Sequence, residues 1–184
     1  MTTEQKYALY ETLLKDWNGR MNLVAPSTLS DIRRRHLDDC AQLAAHIPPG
    51  ADILDLGSGA GFPAVVLAIL GCNVTAVESV GKKCRFLEEL KAKLDLPNLT
   101  VVNDRVENVV KALRPEKNRV ITARAFAPLT RILDLTRKLD AHYVLLKGRS
   151  AQDEIAAARG KHGFEAETIR SATGDGWVVK LTIK

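Results

Sequence analysis

Cysteine is scarce in this chain of 184 residues. Cys40, Cys72 and Cys84 are odd in number and form no C-x-x-C pair. That excludes a disulfide framework and suits thiols buried as small apolar groups in a reduced, cytosolic protein. No apolar run approaches membrane-spanning length. Residues 1–10 are polar and include Glu4 and Lys6, so no signal peptide is expected. Internal repeats and low-complexity tracts are also lacking. Charge of one sign is only mildly in excess, with Lys+Arg at 27 against Asp+Glu at 22 and a net charge of +5. This leans toward a polyanionic partner without identifying one. What remains is an ordinary globular composition, 46% hydrophobic and 27% charged, at a length that suits one domain.

The pattern along the chain divides at Pro48-Pro49-Gly50. Before it, residues 3–17 carry a helical stripe through Tyr7, Tyr10, Leu14 and Trp17. A second helix is expected from about Ser27 or Ser30 to His46. Residues 1–50 thus read as an N-terminal helical cap on an α/β body, 51–184, within one domain of 1–184. Beyond Pro49, short apolar strands alternate with helices, as a doubly wound sheet requires. Strands are expected at the run through Ile53–Leu56, at Asn73–Val77, Leu99–Val102, Arg119–Ala123 and Tyr143–Lys147. Two more, Phe164–Ile169 and Trp177–Ile183, read as an antiparallel terminal pair. The expected fold is α/β, a Rossmann-type class I methyltransferase with a seven-stranded, mostly parallel sheet.

The stretch Ala51 to Pro63, A-D-I-L-D-L-G-S-G-A-G-F-P, organises the rest. It reads as a buried strand, a turn too tight for side chains, and a helix whose first turn suits proline. A dinucleotide fingerprint would need a third glycine at position 62, which is Phe62. Asp55, two residues before Gly57, would repel a pyrophosphate but suits a cationic amino-acid headgroup, directly or through water. Glu78 ends the second strand, where a carboxylate accepts both hydroxyls of a ribose. Gly57, Gly59, Asp55 and Glu78 together point to S-adenosylmethionine.

D-L-G-S-G-A-G-F-P, V-E-S-V-G-K-K-C-R-F-L, R-V-E-N, T-A-R-A-F-A-P-L and L-L-K-G follow one another in order. With W-N-G-R-M-N-L-V and R-R-H-L-D-D-C ahead of them, the chain from about Trp17 onward resembles one family. This is the bacterial 16S ribosomal RNA guanine-N7 methyltransferases, small-subunit methyltransferase G or glucose-inhibited division protein B. Ala123 stands where many members have serine, and the N-terminal region is short. The resemblance implies S-adenosyl-L-methionine as cofactor and N7 of one guanosine in 16S rRNA, or in the small ribosomal subunit, as acceptor. It also implies that Gly57, Gly59 and Phe62 line the methionine and ribose side, that Glu78 takes the ribose, and that Val106 and Glu107 meet the adenine. Arg124 would face cofactor and substrate as a catalytic positioning group.

Guanine N7 carries a lone pair and no proton, so in-line displacement needs alignment rather than a general base. In agreement, the segment after the fourth strand reads Arg124-Ala125-Phe126-Ala127-Pro128, with neither a D-P-P-Y-like motif nor a Pro-Cys nucleophile. Arg33, Arg34, Arg35, Lys147 and Arg149 are the candidates for RNA phosphates, and Phe126 for stacking on a base. N7 lies in the deep groove of A-form RNA, so the target base is expected in a loop or extruded from its helix. A cytoplasmic monomer without membrane or metal is expected. A small-molecule methyltransferase and a non-catalytic RNA-binding assembly factor on this fold remain as alternatives.

Overall fold

The structure, a computed structural model, describes residues 1–174 and 176–183. Seven strands form one sheet in the order β3-β2-β1-β4-β5-β7-β6. They are β1 (Asp52–Leu56), β2 (Asn73–Glu78), β3 (Leu99–Asn103), β4 (Arg119–Thr122), β5 (His142–Lys147), β6 (Phe164–Arg170) and β7 (Trp177–Ile183). The pairs β1–β2, β2–β3, β1–β4 and β4–β5 are parallel, and β7 runs antiparallel to both β5 and β6. The chain order reverses between β1 and β4, so the carboxyl ends of those two strands open the crevice where open α/β sheets bind ligands.

Alternation along the strands assigns each side chain to one of two cores. Ile53, Val74, Val120, Val144 and Val178 join the core shared with the N-terminal helices, α3 (Ala64–Ile69) and α4 (Gly81–Lys93). Leu54, Leu56, Val77, Ile121, Tyr143 and Val179 point the other way. They are covered by α5 (Val106–Ala112), α6 (Leu129–Thr136) and α7 (Ala151–Arg159). Burial on both faces explains why these strands read as continuous apolar runs. No helix among the described residues is long and apolar enough to cross a membrane.

The first helix, α1 (Thr3–Asn18), forms as its stripe predicts, with a capping box between Thr2 and Gln5. Its apolar face reaches the sheet core through Tyr7, Tyr10 and Leu14, and Trp17 Nε1 donates to Glu89 of α4 at 2.9 Å. The second helix differs from expectation. Residues 26–46 are broken into a 3₁₀ turn (Pro26–Asp31), a π-helical turn (Arg33–Asp38), α2 (Asp39–Ala41) and a second 3₁₀ turn (Gln42–His46). Tertiary bonds compete with regular helical ones here. The Asp39 N–H turns to the His36 carbonyl, while the Arg35 carbonyl accepts from Arg124 Nη2 at 2.9 Å. Such π turns are rare and cluster at functional sites.

Candidate functional site

Past β1 the chain turns through Gly57, Gly59 and Gly61 at φ of +68°, +56° and +92°. At two of them a side chain is also excluded by contact. A Cβ on Gly57 would lie 2.4 Å from Phe126 Cδ2, and one on Gly61 would lie 2.6 Å from both Tyr10 Oη and Val65 Cγ2. Glu78, buried at the end of β2, holds this turn: Oε2 accepts from the Gly59 N–H at 2.9 Å and Oε1 from the Val80 N–H at 2.8 Å. Each carboxylate oxygen keeps a second lone pair, and Glu78 lines two adjoining cavities.

One cavity, of about 350 Å³, is walled by Gly57, Ser58, Gly59, Phe62, Glu78 and Arg124. The other, of about 490 Å³, is walled by Glu78, Val80, Val106, Glu107, Arg105 and Phe126. They meet at Gly57, Glu78, Lys83 and Ala125. The structure therefore brings Gly57, Gly59, Phe62, Glu78, Val106, Glu107 and Arg124 around one continuous cleft. Val106 is buried at the start of α5, while the Glu107 carboxylate pairs with Arg131 Nη2 at 2.8 Å.

Asp55 requires a correction. Its carboxylate is fully buried beneath the turn instead of facing the cleft. Oδ2 accepts from Ser58 Oγ at 2.5 Å and Oδ1 from Thr122 Oγ1 at 2.9 Å. Strand alternation puts Asp55 on the same face as Ile53, pointing at the start of α3, where the Ala64 N–H also reaches it. Burial pushes its pKa up to about 6 against the lowering pull of these hydrogen bonds. Asp55 thus tethers the glycine turn to β4, and direct contact with a ligand's ammonium is not available to it.

A third cavity, of about 410 Å³, opens between the N-terminal segments, the ends of β4 and β5 and the β6–β7 turn. It shares Thr28, His36, Arg124 and Ala125 with the 350 Å³ cavity. Arg124 stands at that junction with one N–H of each terminal nitrogen committed. Nη1 bonds His36 Nδ1 at 2.8 Å, Nη2 donates to the Arg35 carbonyl, and Nε lies 3.4 Å from Asp39 Oδ2. Asp39 Oδ1 accepts from Ser171, Thr173 and Gln42, which fastens the β6–β7 turn to the same cluster. Ala125 follows Arg124 at φ +53°, a left-handed conformation that side chains with a Cβ rarely adopt. That kink sends Arg124 toward one cavity and Phe126 over Gly57 toward the other.

The RNA-facing candidates separate once their partners are known. Arg33 is withdrawn: Nη1 and Nη2 grip the Glu4 carboxylate at 2.5 and 2.9 Å, Nε donates to Asp38 at 2.7 Å, and the guanidinium lies over Tyr7. It clamps the π turn to α1. Lys147 is withdrawn as well, because its side chain is 9% exposed and its ammonium donates to the Ala127 carbonyl and Glu154 at 2.7 and 2.8 Å. Arg34 bonds Asp31 and the Thr173 carbonyl. Arg35 is exposed at the rim of the third cavity, with no hydrogen bond or ion pair of its guanidinium among the described residues. Arg149 is exposed beyond β5. Phe126 lies over Gly57 and lines the 490 Å³ cavity.

The family model described as rRNA small subunit methyltransferase G matches residues 3–174. The chain belongs to that family. Ribosomal RNA small subunit methyltransferase G of Dinoroseobacter shibae is 40% identical over 91% of this chain and 88% of its own. The relative of the same name in Paramagnetospirillum magneticum is 41% identical over 96% and 86%. That of Rhodospirillum centenum is 44% identical over 93% and 79%. Among solved structures, a SAM-dependent methyltransferase from Aquifex aeolicus superposes with a TM-score of 0.65 at 14% identity, over 94% of this chain and 98% of that one. TrmK of M. capricolum, solved with S-adenosylhomocysteine, gives 0.62 at 14% identity over 79% and 67%. These last two establish the fold.

The chain is accordingly an S-adenosylmethionine-dependent rRNA methyltransferase, and the alternatives of a small-molecule enzyme or a non-catalytic factor give way. The cleft fits that cofactor. Glu78 keeps lone pairs toward the cavity for a ribose, the glycine turn permits main-chain approach, and Val106 offers an apolar surface at the far end. Sequence reasoning gives no role to Thr28, His36 or Asp39 and places Tyr10 only on the stripe of α1. Periodicity does not show these contacts, because the partners lie as far as 134 residues away.

Proposed function

We propose that the acceptor is N7 of a guanosine in 16S rRNA and that the reaction proceeds without a general base. The observation that carries this reading is the commitment of lone pairs at the junction of the two cavities. His36 Nδ1 is taken up by Arg124, Asp39 Oδ1 accepts from Ser171, Thr173 and Gln42, and Asp39 Oδ2 is ion-paired with Arg124 Nε at 3.4 Å. Among the described residues lining that junction, none is poised to remove a proton. This suits an acceptor atom that has none. S-adenosylmethionine, when bound, supplies a methyl group on a positively charged sulfur.

The protein's part is placement. Glu78 and the turn through Gly57 and Gly59 hold the cofactor's ribose and methionine side, while Val106 and Glu107 frame its adenine. The base enters the 410 Å³ cavity, where Arg124 keeps an unspent N–H on each terminal nitrogen. These can meet O6, the acceptor beside N7 on guanine. Holding reactants in a near-attack geometry supplies on the order of 7–11 kcal/mol in favourable cases. We read residues 1–184 as one unit acting as a monomer, and the rRNA substrate supports a place in the cytoplasm.

Radiolabelled methyl transfer to small subunits, isolated 16S RNA and metabolites in parallel tests this reading. The label is expected in the RNA, with borohydride–aniline scission at a single guanosine. Label on another atom, or on metabolites alone, would overturn it.

A further inference from the structure

We propose that His36 is a positioning residue for Arg124, fixed as the neutral tautomer protonated on Nε2, so that its Nδ1 lone pair aims the guanidinium across the junction between the cofactor cleft and the acceptor cavity. This deepens the functional reading above and rests on it for the meaning of that junction.

The tautomer follows from the donors at both ends of the ring. Arginine can only donate, so the 2.8 Å contact between Arg124 Nη1 and His36 Nδ1 requires a bare nitrogen. At the other end His36 Nε2 lies 2.8 Å from Thr28 Oγ1. That hydroxyl spends its own proton on the Ala25 carbonyl at 2.7 Å, so it must accept from Nε2. The proton is therefore on Nε2 and the ring is uncharged. Its plane is fixed too. The imidazole stacks on Phe62 at 4.9 Å and 14°, and Phe62 stacks in turn on Tyr10 at 5.2 Å and 18°. Tyr10 Oη donates to the Ala60 carbonyl at 2.6 Å. One column thus joins α1, the glycine turn and His36, and delivers the turn's position to Arg124.

Protonating Nδ1 would set an N–H against an N–H and a cation against a cation. The groups facing the ring are Arg124 from the loop after β4, and Arg35 and Asp31 from its own segment. Burial and the two arginines hold the His36 pKa down to about 4, against the opposing pull of Asp31. The neutral form thus persists across the physiological range.

Two measurements test the proposal. In ¹⁵N-histidine-labelled protein, long-range ring correlations should report His36 as the Nε2–H tautomer, with no titration between pH 8 and pH 5. A proton on Nδ1, or titration at an ordinary imidazole value, would overturn it. In methyl transfer, His36→Asn places an amide oxygen where Nδ1 stood and should keep kcat/KM within about tenfold of wild type. His36→Gln, which mimics Nε2, and His36→Ala should each lose about a hundredfold, while affinity for S-adenosylhomocysteine changes by less than about threefold. Equal losses in all three variants, or none in His36→Ala, would overturn the positioning role. The tautomer is read without substrate, so failure of N7 methylation would count against the functional reading and leave His36 judged by its own spectrum.

Discussion

Glu78 and His36 show how single side chains serve both the fold and the chemistry. Glu78 spends one lone pair of each oxygen on the Gly59 and Val80 N–H groups, shaping the turn that a ribose then joins. In Glu78→Gln the amide NH₂ must oppose one of those N–H donors. Affinity for S-adenosylhomocysteine should fall about tenfold to a hundredfold, the scale of a lost charge-assisted bond. Calorimetry on variant and wild type decides this, and unchanged affinity in a folded variant would refute the ribose role. His36 and Asp55 make opposite contributions to acid stability. The folded protein refuses a His36 proton from 6.5 down to about 4, so this group costs stability as pH falls through that window. Asp55 takes up a proton near 6 that the unfolded chain refuses until 3.8, so it adds stability as pH falls through that range. Each slope is at most about 1.4 kcal/mol per pH unit, and they largely cancel where they overlap. Urea melts over this range should show His36→Asn gaining stability relative to wild type on acidification and Asp55→Asn losing it.

At the scale of elements, the helical segments ahead of β1 form part of the site's wall. Tyr10 reaches from α1 to the Ala60 carbonyl, and Gly61 has no side chain because Tyr10 Oη occupies that space. Tyr10→Phe leaves a buried carbonyl without its donor and should cost about 1 kcal/mol in chemical denaturation. The loop after β4 stores strain at Ala125, where a left-handed residue costs roughly 1–2 kcal/mol. Ala125→Gly should therefore raise thermal stability while lowering methyl transfer, since Arg124 and Phe126 are no longer driven apart by a stiff kink. A variant that is both more stable and fully active would show that the kink has no role in placement.

For the whole molecule, a net charge of +5 becomes informative only after the committed cations are set aside. Arg33 and Lys147 are occupied internally, whereas Arg35 stands exposed at the rim of the acceptor cavity. Arg35→Ala should lower the slope of log K against log salt for RNA binding by about 1. Arg33→Ala should leave that slope unchanged and lower the unfolding free energy, because it frees α1 from the π turn. Filter binding across a salt series, paired with denaturation, separates the two, and a reduced slope for Arg33→Ala would return it to the RNA-facing set.

The mostly parallel sheet, the glycine turn and the carboxylate at the end of β2 were legible in the chain, because each depends on local periodicity, on residues near one another, or on one βαβ unit; the order of the strands was not. The same local logic named S-adenosylmethionine, and ordered motifs named the family. Local reasoning failed where partners come from distant segments. It extended one helix from about Ser27 or Ser30 to His46, where bonds to Arg124 and the β6–β7 turn break the regular ladder. It aimed Asp55 at a ligand when Ser58 and Thr122 had already enclosed it, and it offered Arg33 to RNA when Glu4 and Asp38 held it. The identity of a side chain sets what it can donate or accept. Which partner it finds, and so what it is free to do, is decided only when the fold brings residues 28, 36, 39 and 124 to one junction.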